Sequence, residues 1–139
     1  MATILVCTRR EDLLTELGPL LRSEYQIAIV PHVADVVRSM LVTRVDAVVL
    51  DMDVEMAQHV DILAVVARLN PRVPLLTISD PISLEVEAAI RAAGVYSLLV
   101  RPLSPGELER HLAAALYWRI ARGWRPPSAD DAKPATAAR

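Results

Sequence analysis

Five short runs of aliphatic residues determine the fold that this 139-residue chain can adopt. Each run is about as long as a strand, and none alternates regularly between apolar and polar residues. Both faces of each strand are therefore predicted to be buried, as in the centre of a parallel sheet. The runs are Ile4–Cys7, Ile27–Val30, Ala47–Leu50, Leu75–Ser79 and Tyr96–Val100.

The segments that follow these runs carry apolar residues at helical spacing. Five strands alternating with five helices predict an α/β fold, a doubly wound five-stranded parallel sheet in a three-layer αβα sandwich. The helical stripes are Leu13/Leu17/Leu20/Leu21, Val33/Val36/Val37/Met40/Leu41, Val60/Leu63/Val66/Ala67, Leu84/Ala88/Ala92 and Leu108/Leu112/Leu116/Ile120.

Glycine and proline mark the expected ends of the helices. Asn70-Pro71 predicts the end of the third helix, and Gly94 fits the C-cap of the fourth. Ser104-Pro105-Gly106-Glu107 has the pattern of a capping box, with Pro105 expected at the first helical position of the last helix. Gly18-Pro19 should kink or divide the first helix.

Composition limits the class of protein. The chain is 53% hydrophobic, with a formal net charge of -2 and one cysteine. These values predict a globular core, no intramolecular disulfide and no strongly basic surface for nucleic acid. The first residues are predicted to form a strand and not a signal peptide, and no apolar run is long enough to span a membrane. We expect a cytoplasmic protein with one domain over residues 1–123, and a disordered Pro/Ala-rich tail over 124–139.

Polar side chains stand at the carboxyl ends of the predicted strands, where ligands bind in open α/β sheets. Asp51 could act as an anionic nucleophile or an acid–base group, or begin a solvated loop. Ser79 could bind an anion held there or serve as a turn hydroxyl, and Arg101 could pair with Asp51 or face solvent. The full set is Thr8, Arg9, Asp51, Asp53, Ser79, Asp80, Arg101 and Pro102.

With these residues in place, the stretch from about Ala2 to Leu116 resembles the receiver domain of two-component response regulators. The resemblance rests on the following segments: Ile4-Leu5-Val6-Cys7, Asp46-Ala47-Val48-Val49-Leu50-Asp51, Pro74-Leu75-Leu76-Thr77-Ile78-Ser79, and Ala93-Gly94 with Leu99-Val100-Arg101-Pro102-Leu103. It implies a flavodoxin-like fold and a signalling function. By the same resemblance, Asp51 falls on the phosphoacceptor position and Ser79 on the switch hydroxyl. Arg101 replaces the family's lysine, and Pro102 matches its usually cis proline.

The chain departs from the family where the metal is bound. Thr8 and Arg9 stand where the family has two acidic residues that hold Mg²⁺, and Glu11 and Asp12 come too late to replace them. Val54-Glu55-Met56-Ala57 lacks the family's Met-Pro and Asp-Gly. We therefore predict no resident cofactor, with Mg²⁺ relevant only if the chain is phosphorylation-competent. The resulting hypothesis is an atypical receiver, or pseudo-receiver, that works without phosphorylation and is not an enzyme.

Two questions about this edge stay open from the sequence. Arg9 could take the place of the metal and pair with Asp51, or it could point to solvent. Asp51, Asp53 and Asp80 could form an unorthodox metal site, although solvated loop acids are the commoner outcome.

The resemblance also implies a partner face, formed by the fourth helix, the fifth strand and the fifth helix. Four residues lie in or near it: Tyr96, His111, Tyr117 and Trp118. Exposed aromatic residues are frequent binding anchors, but Tyr117 and Trp118 could equally cap the core. The expected partner is a histidine kinase or another signalling protein, or a second copy bound through this face.

Two other functions remain as alternatives. The chain could be a conventional response regulator that receives phosphate on Asp51. It could instead be a small nucleotide- or anion-binding module, using Thr8-Arg9-Arg10 at the start of the first helix. Against the latter, the chain has only 4 glycines and no Gly-rich phosphate loop.

Overall fold

The computed structural model describes residues 1–18, 25–52 and 60–122. Strands and helices alternate along these ranges. They are β1 (Thr3–Cys7), α1 (Glu11–Glu16), β2 (Gln26–Val30), α2 (Val33–Val42), β3 (Ala47–Met52), α3 (Val60–Leu69), β4 (Leu75–Ser79), α4 (Leu84–Ala92), β5 (Ser97–Val100) and α5 (Glu107–Arg122).

The described strands form one parallel sheet in the order β2-β1-β3-β4-β5. This arrangement confirms the predicted doubly wound, flavodoxin-like fold. The chain moves outward in one direction from β1 to β2, and in the other from β3 to β5. The order therefore reverses between β1 and β3, and the crevice beyond their carboxyl ends is the place where such sheets bind ligands.

Alternate residues of the central strands pack into two separate cores, one on each face of the sheet. On one face, Ile4 and Val49 pack with Leu13 of α1 and Leu112 of α5. On the other face, Leu50 packs with side chains of α2, α3 and α4. This pattern produces the three layers that the sequence predicts, with α1 and α5 on one side and α2 to α4 on the other.

The two outer strands differ from the prediction that every strand is buried on both faces. β2 lies at the edge of the sheet, and Gln26, Ala28 and Ile29 are exposed. At the other edge, Val100 of β5 is also exposed. An edge strand has a neighbour on one side only, and it is covered less completely than a central strand.

The ends of α4 and α5 test three of the predictions made from glycine, proline and the capping-box pattern. α4 ends at Ala92, and Gly94 follows with φ +100°, a conformation that favours glycine. At α5, the backbone N–H of Ser104 donates to Glu107 Oε1 at 2.9 Å, as in a capping box. However, α5 begins at Glu107, because the positive φ of Gly106, +75°, lies outside the right-handed helical region. Pro105 is therefore not the first helical residue.

Several predictions fall outside the described residues. They include the kink at Pro19, the segment 54–57 and the tail 124–139. α1 itself ends at Glu16, before Gly18. In the part of the chain that the structure describes, no helix has the length and apolar character needed to cross a membrane.

Candidate functional site

Asp51 is the centre of the candidate site, at the carboxyl end of β3. It lies within the strand and not after it, because Asp51 and Met52 still pair with Ile78 and Ser79 of β4. Its side chain is only 2% exposed. Thr8 Oγ1, just beyond β1, donates to Asp51 Oδ2 at 2.8 Å, and Arg101 Nη1, just beyond β5, donates to Oδ1 at 2.9 Å. Both carboxylate oxygens therefore have a partner from a neighbouring part of the sheet.

Arg101 is held close to β4 by its backbone. Its N–H donates to the carbonyl of Ser79 at 2.8 Å, and the peptide bond to Pro102 is cis. The Arg101 side chain is 9% exposed. Its Nε and Nη2 are buried without a hydrogen-bond partner among the described residues, as is Ser79 Oγ. The ion pair with Asp51 thus uses one of the three guanidinium nitrogens.

Charged side chains alternate in sign from Asp51 to the surface. Arg101 Nη1 lies 3.9 Å from Asp80 Oδ1, and Arg10 Nη1 lies 3.2 Å from Asp80 Oδ2. Arg10 Nη2 also lies 2.8 Å from Asp12 Oδ2. Arg10, Asp12 and Asp80 are each about two-fifths to one-half exposed, so their pairs stabilise the fold little. Among these ion pairs, the buried one between Asp51 and Arg101 is the energetically important one.

Comparison with known proteins finds no matching family model and no matching curated protein. Solved structures do match. A CheY-like response regulator receiver domain protein from Methanospirillum hungatei JF-1 superposes with a TM-score of 0.76 at 16% identity, over 86% of this chain and 97% of that one. The chain has the receiver-domain fold.

Two further similar structures carry descriptions of a different kind. A protein from Burkholderia pseudomallei K96243, described as pilus assembly-related, matches with a TM-score of 0.67 at 23% identity, over 84% of this chain and 90% of that one. A protein from Sinorhizobium meliloti 1021, described as a pilus assembly protein, matches with a TM-score of 0.69 at 17% identity, over 82% and 99%. At these identities the likeness concerns the receiver fold alone.

The structure brings most of the predicted site residues of this receiver fold together, and it shows which of the two candidate arginines pairs with Asp51. Thr8, Asp51, Ser79 and Arg101 meet at one edge of the sheet. Arg9 lies beside Thr8 with an exposed side chain, and the guanidinium on Asp51 belongs to Arg101.

Sequence reasoning missed the part played by Arg10, which reaches Asp80 across 70 residues of sequence. Arg9 and Arg10 are neighbours of the same residue type, so no composition or spacing signal separates them. The loop conformation does, because the Arg10 N–H donates to Thr8 Oγ1 at 3.0 Å and so positions the residue before α1. Asp53 lies outside the described residues.

The described residues at this edge do not fit Mg²⁺. Mg²⁺ prefers carboxylate and water oxygens in an octahedral arrangement. Here the buried oxygen donors are the hydroxyls of Thr8 and Ser79 and the carboxylate of Asp51, whose two oxygens are already engaged. The nearby Asp80 carboxylate faces the guanidinium groups of Arg10 and Arg101, which oppose a cation. Within residues 1–18, 25–52 and 60–122, no group of three His, Cys, Asp or Glu side chains could hold a metal ion.

The predicted partner face is aromatic and partly open. Tyr117 is 65% exposed and Trp118 is 39% exposed, whereas Leu116 beside them is buried. Tyr117 therefore adds little to the core. Tyr96 is half-buried against the α1/α5 core, and this burial raises the pKa of its hydroxyl. His111 is also half-buried, on α5.

The contact between Arg10 and Asp12 can be tested through the pKa of the Asp12 carboxyl. Hydrogen bonds from Arg10 hold the pKa of Asp12 below its usual value. The small contribution of this contact to stability is therefore complete above the usual pKa of an aspartate, and it is lost as the pH falls through the lowered pKa. We expect Arg10→Gln to return the pKa of Asp12 towards its usual value, measured by NMR titration of the side-chain carboxyl. An Asp12 titration unchanged by this substitution would contradict the contact.

Proposed function

We propose that this chain is a receiver-like signalling domain that acts through protein–protein contacts and does not depend on phosphorylation of Asp51. The observation that carries the proposal is the state of the Asp51 carboxylate. It is buried, its Oδ1 accepts from Arg101 and its Oδ2 accepts from Thr8.

The chemistry of phosphorylation explains why this state matters. A carboxylate that receives a phosphoryl group must reach the donor, and the negative charge that accumulates needs a cation, usually a metal, to offset it. Thr8 and Arg9 stand where the resembling family has its metal-binding acids, and Arg101 already neutralises Asp51. The site holds a fixed internal ion pair in place of an exchangeable metal and phosphoryl group.

A direct test is to incubate the full chain with acetyl phosphate and Mg²⁺ and to measure its intact mass. We expect no phosphate-sized increase, because Asp51 is paired and the described edge does not fit the metal. Asp51→Asn is the matched control, since it removes the acceptor oxygen and keeps the size of the side chain. Circular dichroism on the same samples verifies that both proteins are folded.

A mass increase in the wild-type chain that disappears in Asp51→Asn would overturn the proposal. It would assign the chain to the conventional, phosphorylatable class. An increase that persists in Asp51→Asn would instead mark modification at another residue and leave Asp51 unmodified, as proposed.

A second candidate function comes from the two similar structures described as pilus-assembly proteins. On this hypothesis the receiver fold recruits components of a pilus-assembly machine through the exposed aromatic end of α5. Affinity capture with the full chain, compared with Tyr117→Ala, tests it. Enrichment of pilus-assembly proteins by the wild-type chain alone would support this candidate, and equal recovery with both chains would argue against the aromatic contact.

A further inference from the structure

β2 presents an open edge of the sheet. The backbone groups of alternate residues face β1: the Gln26 N–H donates to the Ala2 carbonyl at 2.8 Å, and the Val30 carbonyl accepts from the Thr8 N–H at 3.0 Å. The N–H and C=O groups of Ile27 and Ile29 consequently point away from the sheet. They make no hydrogen bond with any of the residues that the structure describes.

This edge lacks the features that usually prevent strands from pairing. Protein sheets protect their edges with charged side chains, proline or bulges. β2 reads Gln-Ile-Ala-Ile-Val, without a charge or a proline, and its register with β1 runs unbroken from Gln26 to Val30. Ile29 is 42% exposed. The strand is thus able to accept another strand.

The sequence of the edge identifies the strand that fits it. Ile27-Ala28-Ile29 reads the same in both directions, so it complements itself when a two-fold axis passes beside Ala28. In that antiparallel arrangement, Ile27 lies opposite Ile29 of the second copy. Each such pair exchanges two N–H···O=C bonds. We propose that β2 pairs with β2 of a second copy, so that one sheet runs through both molecules.

The surface next to β2 also favours a second copy as the partner. α2 packs over β1 and β2, and its last residues, Leu41 and Val42, are 70% and 77% exposed. The two-fold axis would place the α2 helices of both copies on the same side of the joined sheet. No charged residue in β2 opposes the approach. A single five-residue edge is small beside the roughly 800 Å² per partner of a standard interface, so the dimer should be weak.

The test is sedimentation velocity of the full chain from about 10 μM to about 1 mM, a range that covers weak association. We expect a monomer–dimer equilibrium. Ile29→Lys should weaken it by about tenfold or more, because it replaces an apolar contact and brings like charges together near the axis. Leu84→Lys is the matched control: Leu84 is 83% exposed on α4, which packs beside β5 at the opposite edge. It should leave the dimer unchanged.

Amide hydrogen exchange of the wild-type chain gives a second readout that needs no variant. The outward N–H groups of Ile27 and Ile29 should exchange more slowly as concentration rises, while exposed helix-terminal amides should not change. A chain that stays monomeric throughout, or a dimer dissolved by Leu84→Lys and not by Ile29→Lys, would overturn the proposal. These results are independent of whether Asp51 accepts phosphate.

Discussion

Arg101→Met is expected to lower the free energy of unfolding by about 3–5 kcal/mol, the range observed when one member of a buried ion pair is removed. The Asp51 side chain is 2% exposed, and Arg101 is its charged partner at 2.9 Å. Without the guanidinium, the Thr8 hydroxyl is the one hydrogen-bond donor left on the carboxylate among the residues that the structure describes. Urea denaturation of the full chain, followed by circular dichroism, measures the loss.

A matched control separates burial from charge pairing in general. Arg91 pairs with Glu87 at 3.2 Å on α4, and its side chain is 56% exposed. Arg91→Met should therefore cost about 0–0.5 kcal/mol, as exposed helical pairs do. If Arg101→Met costs no more than Arg91→Met, the Asp51–Arg101 pair is not the electrostatic centre of the site.

The single variant Asp51→Leu and the double variant Asp51→Leu/Arg101→Met complete a double-mutant cycle with Arg101→Met. Each single substitution leaves one charge buried without its partner, whereas the double variant removes both. Its stability should lie close to that of the wild-type chain, because replacing a whole buried pair with apolar residues is often neutral or stabilising. Two single losses that simply add in the double variant would show that the two residues do not interact.

The site is therefore not arranged for maximum stability. Arg101 Nε, Arg101 Nη2 and Ser79 Oγ are buried without hydrogen-bond partners among the described residues. An unsatisfied buried polar group costs about 1–3 kcal/mol. On the function proposed above, this ion pair is retained because it specifies one arrangement of the strand ends.

The central part of the fold was predictable because burial on both faces leaves a clear mark in the sequence. Val48, Val49 and Leu50 are apolar without alternation, and the structure places them in opposite cores of the same sheet. The edges were less predictable. β2 is mainly aliphatic, as β1 is, yet it is partly exposed, because its position depends on the order of the strands and not on its own residues.

In the candidate site, the positions of the strand ends were predictable, whereas the contacts between the side chains were not. The location of Thr8, Asp51, Ser79 and Arg101 at the carboxyl ends of strands predicted that they would meet. It did not predict which cation would pair with Asp51, because Arg9 and Arg101 are chemically identical and both lie at this edge. The choice follows from the loop before α1 and the backbone contact of Arg101 with Ser79, which are three-dimensional features.

The largest effect expected in α5 comes from Leu112→Ala, which should destabilise the fold by about 2–5 kcal/mol. Leu112 is fully buried and packs in the same core as residues of β1, β3 and β4. Truncation to alanine removes apolar contacts and leaves a cavity that close-packed neighbours fill only in part. Thermal and urea denaturation of the full chain both measure this change.

Tyr117→Ala, further along the same helix, is the matched comparison. Tyr117 is 65% exposed, so its loss should change stability by no more than about 0.5 kcal/mol. If Tyr117 is a partner anchor, the same variant should lose captured proteins while remaining folded. A Tyr117→Ala chain as destabilised as Leu112→Ala would instead make the aromatic ring part of the core. The partner face would then have to be sought elsewhere on the surface.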